Sequence, residues 1–129
     1  MTHLASDTVR VLLVGMRDGS RSSAALVHSL ADFKVDFATP AAIEEDEART
    51  ALRSCDVVLL DAQSLPSDTR SELIPTTLQH VVEKEPRLRV VALVGADPAT
   101  ARLAASSGAW DIVEAGARDV AERLHQMAR

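Results

Sequence analysis

Cysteine, aromatic side chains and excess positive charge are all scarce in this sequence, and each shortage removes a class of function. Cys55 is the only cysteine, so the chain forms no internal disulfide and no cysteine-rich zinc site, and a reducing compartment is expected. Phe33, Phe37 and Trp110 are the only aromatics, which leaves no stacking platform for single-stranded nucleic acid. Lysine and arginine number 14 against 19 acids, a net charge of −5, and the cations are scattered along the chain. Direct nucleic acid binding needs a basic face that displaces counterions, and none is expected here. No apolar run approaches the ~20 residues of a membrane span. The start, Met1 to Thr8, is too short and polar for a secretory signal. The expectation is a cytoplasmic protein with no membrane partner.

What is present is an ordinary globular balance, 47% hydrophobic and 26% charged, in a length suited to one core. Residues 1–129 are read as a single domain, standing alone or as the regulatory module of a longer protein. With so few aromatics, the core is built from Val, Leu, Ile and Ala. Short apolar runs alternate with helix-like stretches: Val9–Val14, Lys34–Ala38, Asp56–Leu60, Arg89–Val94 and Trp110–Val113. The third and fourth runs, VVLL and VVALV, are continuous rather than alternating, as expected for central parallel strands covered on both faces. Thr39-Pro40 reads as an N-cap with Pro at N1, opening a helix through Ile43, Ala48, Ala51 and Leu52. Asp97-Pro98 repeats that start. Pro75 lies inside a helical pattern over Ser67–Lys84, so the helix either kinks there or begins near it. The last helix aligns Ala117, Val120, Ala121, Leu124 and Ala128 on one stripe, with Arg118, Glu122 and Arg123 outward. Right-handed βα crossovers make this an α/β fold, a doubly wound parallel sheet with its functional edge at the carboxyl ends of the strands.

Asp61 stands at that edge after the central strand, in DVVLLDAQSLP, and GAWDIV (Gly108–Val113) leads into the fifth strand. A carboxylate there, followed by Pro66, resembles the phosphoacceptor site of response-regulator receiver domains. GAWDIV resembles that family's Gly-Ala-x-Asp-Tyr-Leu stretch, and the five βα units match its whole length. The resemblance implies a five-stranded (βα)5 sheet of flavodoxin-like topology, strand order 2-1-3-4-5. It also implies a non-catalytic role in two-component signalling, a histidine kinase or an effector domain or protein as partner, and homodimerisation through the fourth helix, fifth strand and last helix.

The departures from the family pattern carry as much information. Where receivers place two acids that hold Mg²⁺, this chain has Gly15 and Met16, neither able to ligate a hard cation. The hydroxyl residue that ends the fourth strand is replaced by Val94, or by Gly95 if the register shifts by one. The Lys-Pro pair after the fifth strand is replaced by Ala115-Gly116, beside Glu114. Pro66 follows Asp61 by five residues where the family has four. The chain therefore reads as a pseudo-receiver, acting through protein–protein contact with Asp61 phosphorylation impaired or lost. Two compensations are open: Asp18, with Asp61, binding a metal from a shifted loop, or Arg17 pairing with Asp61. No cofactor is expected, apart from Mg²⁺ if phosphorylation is retained.

Other readings stand beside these. Asp61 is either a retained phosphoacceptor or an acid capping the loop after its strand. Gly15-Met16-Arg17-Asp18-Gly19-Ser20 lacks any phosphate-binding glycine pattern. His3, His28, His80 and His125 fall on separate elements without metal-ligand spacing. Cys55 reads as a buried structural thiol. Trp110 and Arg118 are interface candidates on the expected signalling face. Two functional alternatives remain: a working phosphorelay receiver, and a small-ligand binder on the same scaffold resembling cobalamin-binding domains. The second has no Asp-x-His-x-x-Gly after the first strand, where the chain reads GMRDGSR.

Overall fold

The computed structural model describes residues 8–16, 30–31, 33–95, 97–114 and 120–128. Five strands, β1 (Arg10–Val14), β2 (Lys34–Ala38), β3 (Val57–Asp61), β4 (Val90–Val94) and β5 (Asp111–Glu114), form one sheet in the order β2-β1-β3-β4-β5. All four pairings are parallel, as the alternation of strands and helices predicts.

Every residue of β3 and β4 is buried. Their side chains point alternately to two core layers: Val58, Leu60, Val90, Ala92 and Val94 join one, and Val57, Leu59, Val91 and Leu93 the other. Burial of both faces is the physical reason these runs are continuous in sequence. The edge strand β2 keeps partly polar, exposed faces.

The helices are α1 (Pro40–Glu44), α2 (Ala48–Ser54), α3 (Arg70–Lys84), α4 (Pro98–Ser106) and α5 (Val120–Ala128). Both expected Pro-led starts are present. Thr39 Oγ1 accepts the Ala42 N–H at 3.1 Å, and Asp97 Oδ1 accepts the Ala99 N–H at 3.0 Å. The single helix expected after Thr39 is instead two, because Glu45 turns extended at ψ 151°. The break falls in the acidic run Glu44-Glu45-Asp46-Glu47, and it lets Ile43 and Leu52, which would face opposite sides of one continuous helix, both turn to the core.

Pro75 does not start α3, which begins at Arg70 and runs on through it. The hydrogen bond Pro75 forfeits is to the carbonyl of Ser71, an exposed residue that water can serve. On α5, Val120 and Leu124 are buried as the stripe predicts. Arg123, expected to point outward, instead reaches Asp111 at 3.2 Å and the Ile112 carbonyl at 3.1 Å. Ala117 lies outside the described residues.

Candidate functional site

Asp61 is the last residue of β3 rather than the first after it, with its Cα beside that of Leu93 on β4. Only 2% of its surface is exposed. A turn of 3₁₀ helix, Ala62–Ser64, follows at once and folds the chain back over the strand end. This return carries Ser64 between β3 and β1. Its hydroxyl donates to the Asp61 carbonyl at 2.8 Å and accepts the Met16 N–H at 2.9 Å. One side chain thus ties the end of the central strand to the residue two beyond β1.

Gly15 sits under that hydroxyl. A Cβ at position 15 would lie 2.6 Å from Ser64 Oγ and 3.3 Å from Asp61 Cβ, closer than side-chain atoms normally approach. The position where the resemblance places a metal-binding acid is therefore closed by packing as well as changed in chemistry. Met16 is half-buried and packs against the core. Val94 is buried among core side chains. At Gly95 the Gln63 amide fills the space, its Nε2 lying 2.7 Å from where a Cβ would stand.

The Arg70 guanidinium, at the start of α3, holds the turn from outside. It donates to the Leu65 carbonyl through Nε at 3.3 Å and Nη2 at 3.0 Å, and to the Gln63 carbonyl at 3.3 Å. Asp61 itself is poorly served: Oδ1 is buried with no hydrogen-bond partner among the described residues, as is Gln63 Oε1. Burial pushes the Asp61 carboxyl above its ordinary pKa. The Ser64 and Gln63 N–H groups and the more distant Arg70 charge act the other way without cancelling it.

Among the described residues, no three His, Cys, Asp or Glu side chains lie together as a metal-binding group. Asp61 with Gly15 and Met16 does not make a magnesium site. Arg17, Asp18, Ala115 and Arg118 lie outside the described residues. Glu114 ends β5 rather than following it. Trp110 directly precedes β5, so it sits at the amino end of the sheet, across the molecule from Asp61. It is 59% exposed and carries the Arg89 guanidinium 4.5 Å above its ring. His80 lies 3.8 Å from Glu44. No described helix is long and apolar enough to cross a membrane.

The sequence reading found Asp61, Gly15 and Met16 but missed Ser64, Gln63 and Arg70. Ser64, three residues after Asp61, has the spacing of a hydroxyl bonding back to a turn carbonyl, a signal that was available. Arg70 has none, since its contact depends on how the Pro66 loop closes.

No family model matches the sequence, and no curated protein is significantly similar to it. Solved structures do match. A Burkholderia pseudomallei protein described as pilus assembly-related superposes with a TM-score of 0.68 at 19% identity, covering 95% of this chain and 90% of that one. A CheY-like protein, tadZ, of Pseudomonas aeruginosa gives 0.68 at 21% identity over 93% and 99%. A CheY-like receiver domain of Methanospirillum hungatei gives 0.61 at 17% identity over 94% of each chain. Identities this low speak for backbone alone, and together with the 2-1-3-4-5 parallel sheet they establish that the chain has the fold of a CheY-like response-regulator receiver domain.

Proposed function

We propose that this chain is a pseudo-receiver: a non-catalytic regulatory or docking domain that works by protein–protein contact and does not depend on phosphorylation of Asp61. The observation that carries the reading is Ser64 seated over Gly15 against Asp61. Where phosphoryl transfer calls for clustered cations, the described residues of this edge offer a buried carboxylate, a serine hydroxyl and an amide, and the nearby Arg70 guanidinium is spent on the carbonyls of the turn. A metal and a lysine supply several kcal/mol of charge stabilisation in such chemistry, so without them the rate falls by orders of magnitude.

The partner is an effector domain or protein. The Burkholderia neighbour's description as pilus assembly-related supports placing such a docking role in an assembly apparatus. Homodimerisation through α4, β5 and α5 is the expected self-contact, with exposed Trp110 its candidate anchor.

The test is incubation with Mg²⁺ and acetyl phosphate, or with beryllofluoride, followed by intact mass and amide NMR. No adduct and no shift around Asp61 is the expected result. An adduct lost in Asp61→Asn would refute the reading and restore the phosphorelay receiver.

A further inference from the structure

We infer that the groove between β2 and the α1–α2 break is a second docking surface, which receives a partner segment carrying an apolar anchor flanked by lysine or arginine. This surface lies two strands from Asp61. The inference stands whether or not Asp61 takes a phosphoryl group.

The groove follows from the helix break. Because the chain turns extended at Glu45, α1 and α2 do not close over the end of β2. They leave a groove of about 310 Å³ floored by Ala38, Ala42, Ile43, Ala48 and Ala51, with Phe37 at its side. Phe37 is one of three large hydrophobic side chains left exposed among the described residues, at 39%. A volume near 300 Å³ is at the lower end for ligand pockets, and a floor of alanines suits an apolar side chain entering from outside.

The rim says what accompanies that anchor. Glu45 and Glu47 line the groove, and Glu44, Glu45, Asp46 and Glu47 are all exposed. Glu44 is engaged, with His80 at 3.8 Å from its carboxylate and Lys84 Nζ at 3.3 Å from its carbonyl. No cation pairs with Glu45, Asp46 or Glu47 among the described residues. Uncompensated carboxylates around an apolar floor select a cationic visitor and repel an anionic one. The same charge argues against a second copy of this chain, whose net charge is −5, and against an anionic lipid surface.

The experiment is selection of short random peptides, displayed on phage, against the immobilised full chain. Clones are counter-screened on Ala42→Arg, which fills the floor and places a cation at its mouth. Position 42 is exposed on α1, and arginine is a good helix former. The expected result is a consensus of one apolar residue flanked by Lys or Arg, with binding lost in Ala42→Arg. Affinity for a synthetic consensus peptide should fall about three- to tenfold in the surface variant Glu45→Gln/Glu47→Gln, as for two exposed charge pairs. An acidic or uncharged consensus, no groove-dependent enrichment, or affinity unchanged in both variants overturns the inference. So does a shift in oligomeric state on Ala42→Arg, measured by sedimentation, which would give the groove to a second copy.

Discussion

Replacing Asp61 by asparagine should make this protein more stable at neutral pH, the reverse of what mutating a buried polar group normally does. The carboxylate is buried with Oδ1 unpaired among the described residues, and leaving a buried acceptor unsatisfied costs about 1–3 kcal/mol, more when it is charged. Asparagine keeps the shape, removes the charge and brings an N–H₂ to a turn that already holds an unpaired acceptor, Gln63 Oε1. A net gain of about 1–2 kcal/mol follows at neutral pH. That is a rise of roughly 4–8 °C in the melting midpoint for a chain of this size.

The pH dependence separates this cause from any other. Burial raises the Asp61 pKa in the folded state, so the folded protein holds this proton more tightly than the unfolded chain does. Stability is therefore full where both states are protonated, below the ordinary carboxylate range near pH ~4. It falls as pH rises through the folded value and stays lower above it. Asp61→Asn abolishes that fall, so its advantage should be large at neutral pH and shrink toward zero in acid. Thermal unfolding of both proteins by circular dichroism across that range measures it. A variant less stable than the parent at neutral pH would mean that a cation already serves the carboxylate, as the Arg17–Asp61 pair would. An advantage unchanged in acid would mean that charge is not the cause.

Three further outcomes are expected. Gly15→Ala should lose about 1–3 kcal/mol, because its Cβ meets Ser64 Oγ at 2.6 Å; in a Ser64→Ala background most of that loss should vanish, and denaturant titration of the double-mutant cycle reads the coupling. Cys55 is 5% exposed and its thiol is pushed up to about 11, chiefly by burial. Its thiolate fraction at mildly alkaline pH is then about a hundredfold below that of a free cysteine, so disulfide-reagent labelling should be slow until denaturant is added. Thr39→Ala removes the acceptor that caps α1 and should cost about 1 kcal/mol in chemical denaturation.

How much of this was legible in the sequence depended on how local each cause is. The continuous runs VVLL and VVALV revealed central strands because burial on both faces acts on every residue of the run. The two Pro-led helix starts were legible because a cap is settled within three residues. The split between α1 and α2 was missed although a sign of it was there: Ile43 and Leu52, nine residues apart, would face opposite sides of one continuous helix, yet both are buried. The four adjacent acids mark its place. At the site, identity was legible and occupancy was not. Gly15 and Met16 showed that the acids were missing, but the side chain filling their place comes from residue 64, brought there by a 3₁₀ turn that leaves little periodic trace.

That replacement bears on how the domain works. Had the acids simply been lost, Asp61 would face an open pocket that a shifted loop or a borrowed cation could repair. Ser64 instead takes a hydrogen bond from the backbone N–H of Met16 and gives one to the carbonyl of Asp61, so it bonds the two strand ends directly. Restoring an acid at position 15 requires Ser64 to leave, and with it both of those bonds. A single reversion is thus opposed by packing before any chemistry is regained. The same contact that leaves no room for a side chain at position 15 also ties the ends of β1 and β3 together, as the proposed role of a domain read by its partners in a constant shape would require.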